Sequence, residues 1–181
     1  MDKEQILTEV LNKFSGNIDE DFKLVLGIAE QYRKASRFDI MKDVIYLLEK
    51  RYGEAGKQKL VEAAKENIKR RKDLYQQMIN YEKNKEFIKA QEIVVKLIDT
   101  FPMERPLKDD EIIYAFNNLF EHMYYMLNYN PDRKNVIKYE EPISNYYFHL
   151  AFNLFNLEDY EETIEVLDKS LELNPVNVDS V

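Results

Sequence analysis

Apolar residues recur along this chain at three- and four-residue intervals, the spacing of one face of an α-helix. Ile6, Val10, Leu11 and Phe14 form the first such set, which ends near Gly16. Phe22, Leu24, Val25, Ile28, Ala29 and Tyr32 form a second, with Asp19 and Asp21 as candidate N-caps and a stop near Ser36. Phe38, Ile40, Met41, Val44, Ile45, Leu47 and Leu48 form a third, for which Gly53 offers a C-terminal cap. From Glu54 to Asn84 no proline or run of turn residues intervenes apart from Gly56. That stretch reads as one long helix, or as two with a break in the polar segment from Ala64 to Lys72. A helix from Phe87 to Thr100 follows, stopped by Phe101-Pro102.

The pattern predicts the next helix over Glu111 to Tyr129, capped by Asp109 or Asp110. Ile112, Phe116, Leu119, Met123 and Met126 make one stripe, and Ile113, Phe120, Tyr124 and Leu127 widen it. A helix apolar over most of its surface is expected to be buried between neighbours. Asn130-Pro131-Asp132-Arg133 signals a turn, and residues 130 to 142 read as a loop. Two final helices are expected from Ile143 to Asn156 and from Tyr160 to Leu173, the second opened by an Asp159/Glu162 capping box and stopped by Pro175. The one β-branched run, Ile93-Val94-Val95, lies inside a helical pattern, so no strand is expected.

Composition agrees with an all-α chain. The 181 residues hold only 4 Gly and 5 Pro, too few for a many-turned sandwich or barrel. Hydrophobic residues at 45% and charged residues at 33% exclude a disordered chain. The net charge of -8 disfavours binding to phosphate backbones, so nucleic acid is not an expected partner. The charge is uneven: Lys57 to Lys72 carries seven basic residues against Glu62 and Glu66, and Glu158 to Glu172 carries seven acids against Lys169. The basic run reads first as a solvated helix face and second as a docking patch for an acidic partner or another copy. With no cysteine there is no disulfide, thiolate nucleophile or zinc–cysteine site. The opening residues carry no signal-peptide pattern and no apolar run reaches the ~18 residues of a membrane span, so the chain reads as cytoplasmic.

Residues 144 to 177 carry an internal repeat unit. Tyr147, Leu150, Ala151, Leu154, Tyr160, Thr163, Ser170 and Pro175 stand at the offsets of the tetratricopeptide repeat (TPR), which this segment resembles over 34 residues. Glu158 in place of the usual Gly, and Leu154 in place of Tyr, are departures. A second copy lies at 71 to 104, where Met78, Tyr81, Phe87, Ala90, Leu97 and Pro102 fall in register. Phe87 to Pro102 and Tyr160 to Pro175 are both 15 residues apart. A weaker copy lies at 22 to 55, with Ala29, Tyr32, Ser36, Phe38 and Met41 in place and a slip after Met41. The resemblance implies one TPR-like helical domain over 1–181, a solenoid of helical hairpins. It is interrupted by residues 56 to 70 and by an inserted long helix and loop at 105 to 143. In such an array each hairpin covers the next. Val166, Leu167, Leu171 and Leu173 are therefore expected to be partly exposed at the end, inviting either more chain or contact between copies.

The resemblance also implies a non-enzymatic protein- or peptide-binding module in which the first helix of each pair lines a groove. Its offsets select Phe148, Phe152, Phe155 and Asn156 in the last repeat, Tyr75, Ile79, Glu82 and Lys83 in the middle one, and Leu26, Glu30, Arg33 and Lys34 in the first. Phe148 and Phe152 stand where carboxylate-clamp members carry Lys and Asn, so an apolar anchor is the expected ligand feature. The competing reading packs these phenylalanines on the Glu111–Tyr129 helix. A peptide-sensing bacterial regulator and a self-associating structural module are the alternatives. No cofactor or metal is expected: His122 and His149 have no second ligand at helical spacing, and no Gly-rich phosphate loop is present.

Overall fold

The computed structural model describes residues 2–35, 37–101, 110–129, 135–139 and 141–177. The features expected at Ser36, Pro102, Asp109, the turn at 130–133 and the tail from 178 lie outside the described residues. The described chain is mostly helical. It divides into two compact units, the first running to Lys69 and the second, among the described residues, starting at Arg70.

The first unit opens with α1 (Lys3–Asn12), whose N-cap Asp2 forms a full capping box with Gln5. Helix α2 (Ile18–Lys34) is capped by Asn17, which accepts from the amides of Asp19 and Glu20. The expected caps have other roles. Asp19 pairs with Lys59 at 2.5 Å. Asp21 is buried, where it accepts from Ser15 N, Ser15 Oγ, Gly16 N and the Tyr52 hydroxyl. Helix α3 (Phe38–Tyr52) packs on α2 and ends at Gly53, whose φ of +57° suits glycine. Ile6, Val10, Val25, Ala29, Ile40, Val44, Leu47 and Leu48 form the core. Helix α4 (Glu54–Lys83) runs unbroken through the polar stretch from Ala64 to Lys72. Gly56 lets it start there: a Cβ would sit 2.3 Å from the carbonyl oxygen of Leu48.

The second unit holds the rest of α4, then α5 (Phe87–Asp99), α7 (Ile143–Asn156) and α8 (Tyr160–Leu173). Helix α7 packs on both α5 and α8. Asp159 accepts from Glu162 N at 3.3 Å, one arm of the expected box. Between α5 and α7 the structure departs from expectation. In place of one helix over Glu111–Tyr129 there is a strand, β1 (Glu111–Tyr114), a non-helical link, and a ten-residue helix, α6 (Leu119–Asn128). In place of a loop there is β2 (Asn135–Lys138), paired in parallel with β1 from Glu111↔Asn135 to Tyr114↔Lys138. Ile112, Ile113 and Tyr114 are β-formers, and Asn118 restarts the helix by accepting from Glu121 N. The apolar stripe through Phe116 is therefore an accident of period: Phe116 is buried, but in the link between strand and helix.

Among the described residues one pattern of backbone hydrogen bonds occurs three times. Arg37 N, Glu86 N and Asp159 N donate to Tyr32 O, Tyr81 O and Leu154 O at 2.9, 2.9 and 3.0 Å. Ala35 N, Asn84 N and Leu157 N donate to Gln31 O, Asn80 O and Asn153 O. Helices α3, α5 and α8 then begin at Phe38, Phe87 and Tyr160. These positions are 49 and 73 residues apart, the offsets read in the sequence. Glu158 and Lys85 correspond, and both are left-handed, with φ of +67° and +59°. Burial repeats as well: Ala29, Met78 and Ala151, and further on Leu48, Leu97 and Ser170, are buried at matching places.

Candidate functional site

Helix α7 carries most of the residues that the sequence singles out. Its aromatic edge points to solvent at one end: Phe152 is 41% exposed and Phe155 57%, while Phe148 is half-buried. Phe87, at the start of α5, meets Phe152 edge-on at 6.0 Å, and Phe155 meets Tyr160 edge-on at 5.6 Å. The four rings line an aromatic strip at the turn end of the hairpins. Asn156 Nδ2 bonds to Phe152 O and closes the last turn. The expectation that these rings pack on a buried Glu111–Tyr129 helix fails for Phe152 and Phe155. That helix is short, and both rings are exposed.

The middle-repeat candidates separate. Lys83 is exposed. Ile79 packs against the core of the second unit. Tyr75 and Glu82 take part in a polar seam between α4 and α7. The Glu82 carboxylate lies 3.0 and 3.1 Å from His149 Nδ1, and Tyr75 Oη lies 3.1 Å from His149 Nε2. Asn153 Nδ2 donates to Glu82 at 3.0 Å and Asn145 Nδ2 to Tyr75 Oη at 3.0 Å. A proton on Nδ1, donated to Glu82, leaves Nε2 to accept from Tyr75, so the imidazole, the carboxylate and the phenol each have a partner of the right sense. Burial raises the Tyr75 pKa, against the lowering effect of the Asn145 bond. The imidazole is thus oriented by a carboxylate. The trace of this in the sequence is a polar row, Asn145, His149 and Asn153, at four-residue spacing on a largely apolar helix.

A second buried site revises the reading of the basic run. Arg71 is only 2% exposed, unlike its neighbours Arg70 and Lys72. Its guanidinium bonds to the Glu141 carboxylate at 2.8 and 3.0 Å, to Thr100 Oγ1 at 2.8 Å and to Leu97 O at 2.9 Å. It lies 5.6 and 5.7 Å from the rings of Phe101 and Tyr146. Tyr146 donates to the same carboxylate at 3.0 Å. Burial, then the Glu141 charge and hydrogen bond, push the Tyr146 hydroxyl up to about 12. Arg71 therefore ties α4, the end of α5 and the start of α7 together, and is no docking residue.

Helix α6 is laid inside out. Glu121 turns inward to accept from Asn117 N at 2.7 Å and Asn174 Nδ2 at 2.8 Å. His122 stacks on Phe116 at 5.2 Å, and Tyr125 is buried against Tyr114 and Phe116. Its aliphatic and remaining aromatic residues face water, with Phe120 at 84% and Leu127 at 81% exposed. Of the α8 residues expected to be partly exposed, Leu167, Leu171 and Leu173 are half-buried, whereas Val166 is buried.

Among the described residues no cluster of three or more His, Cys, Asp or Glu is arranged to hold a metal ion. None of the described helices is long and apolar enough to cross a membrane. No family model, no curated protein and no solved structure matches the chain.

Proposed function

We propose that this protein is a non-enzymatic binding module, a TPR-like array of helical hairpins that holds a segment of another polypeptide. The observation that carries this reading is the threefold recurrence of one turn, with the same hydrogen bonds and the same helix start at the offsets where the repeat was read. Hairpins built alike, with small or slim residues buried at matching places, are what a repeat array requires. The ligand-facing part is the aromatic strip of Phe152 and Phe155 with Phe87 and Tyr160. Exposed aromatic rings held by a rigid helix supply apolar anchors at small entropic cost. The occupant is an extended or helical segment with one or two large apolar side chains, and Asn156 and Lys83 set the polar rim.

Selection of random displayed peptides on the immobilised protein tests this reading. Enriched peptides should share an apolar anchor, and Phe152→Glu should weaken them by about tenfold or more. The paired variant Phe155→Ala should show a smaller loss, with circular dichroism unchanged. Failure to enrich any sequence, or peptides indifferent to Phe152→Glu, would remove this surface from the function.

A further inference from the structure

We infer that the outward face of α6 is the interface of a two-fold symmetric dimer, so that its occupant is α6 of a second copy of this chain. Leu119, Phe120, Met123, Tyr124 and Leu127 are each at least half exposed and all lie on one side of the helix. A lone exposed leucine needs no explanation, but five large apolar side chains on one short helix do. The helix is no loose end. Glu121, His122 and Tyr125 fasten its other side through three hydrogen bonds to the carboxylate and three ring contacts. The apolar face is therefore presented in a fixed orientation.

Size, charge and shape favour a second copy. At 150–250 Å² for a large ring and somewhat less for Leu and Met, the five side chains offer on the order of 700 Å². A stable interface needs about 800 Å² from each partner. The chain carries a net charge of -8, so two copies repel wherever acidic surface meets acidic surface. None of the five side chains is a carboxylate, and the one carboxylate of α6, Glu121, is turned inward and hydrogen-bonded. This face thus lets like-charged copies meet without opposing carboxylates. Met123 lies midway between Leu119 and Leu127 along the helix and near the middle of the face around it. In an antiparallel pair about a two-fold axis, Met123 meets its own counterpart and Leu119 meets Leu127 of the other copy, the reciprocity that an isologous interface demands. A lipid surface fits less well, because α6 carries no Lys or Arg beside this face to reach anionic headgroups.

Two experiments decide. In sedimentation equilibrium from about 1 to about 100 µM, the protein should move from 21.7 kDa toward twice that mass. The double variant Phe120→Glu, Leu127→Glu should raise the dissociation constant by about 100-fold or more. Because the chain has no cysteine, Met123→Cys introduces a single thiol at the proposed axis. A short bifunctional maleimide should couple it into covalent dimers, whereas Ile164→Cys, exposed on α8, should stay monomeric. This second test stands even if the glutamate variant fails to fold. A wild-type protein that stays at 21.7 kDa throughout, or equal coupling at both cysteines, would overturn the inference. Neither result bears on the aromatic strip of α7, which peptide selection tests separately.

Discussion

One carboxylate organises the turn between α1 and α2. Asp21 collects four hydrogen bonds from Ser15, Gly16 and Tyr52 in a buried position. Burial alone pushes its carboxyl up, but the bonds from Tyr52, Ser15 and Gly16 together outweigh burial and hold it below the usual 3.8. A carboxyl depressed in the folded state stabilises fully above its unfolded value and loses that contribution as pH falls through its folded one. Urea unfolding should therefore weaken as pH drops from 5 toward 3 (approximate limits, from the usual carboxylate range), and Asp21→Asn should flatten that dependence. At neutral pH, Asp21→Ala should cost about 1–3 kcal/mol, since donors from three residues lose their acceptor. Parallel pH curves for wild type and Asp21→Asn would refute this account. An aspartate at this point of the sequence reads as an N-cap, because helix starts favour acids. Its role as a buried acceptor depends on Tyr52, 31 residues away.

Among the elements, the two left-handed turn residues make the sharpest case. Lys85 and Glu158 occupy φ values that side-chain-bearing residues avoid, at equivalent positions of two hairpins. Replacing either with Gly should relieve strain but widen the unfolded ensemble, for a net gain of about 0.5–1 kcal/mol each. At this chain length that is roughly 1–4 °C in thermal midpoint per site. Gains at only one turn, or losses at both, would argue that the hairpins are not built alike. These turns were legible beforehand, since helix starts at Phe38, Phe87 and Tyr160 follow from local apolar spacing and from repeat offsets. The strands were not. Four-residue strands leave too short a period to read, and parallel pairing of β1 with β2 rests on contacts more than twenty residues apart. Of the candidate site, register alone puts Phe152 and Phe155 on one helix, and their exposure is seen only in the fold. The His149 seam and the Arg71 hub needed the fold, because a helix pattern shows which residues share a face but not which helix meets it.

At the scale of the whole molecule, charge sets the remaining energetics. There are 34 acids against 26 bases, and the seven acids from Glu158 to Glu172 are all exposed. Visible pairs such as Arg33–Glu30 and Lys59–Asp19 involve partly exposed side chains, and such pairs contribute about 0–1 kcal/mol each. Salt weakens both these attractions and the surplus repulsion, and with eight unmatched negative charges the repulsion is the larger loss. The thermal midpoint should therefore rise by about 2–5 °C as sodium chloride increases from about 0.05 to about 0.5 M. Glu172 sharpens the test. It sits in the last turn of α8, which has no basic residue, where a negative charge opposes the helix dipole. Glu172→Lys should stabilise by about 0.3–1 kcal/mol at low salt. That gain should fade as the salt concentration approaches about 1 M, where screening acts within about 3 Å. A midpoint that falls with salt in the wild type, together with a Glu172→Lys gain that survives at high salt, would mean that specific pairs outweigh net charge in this fold.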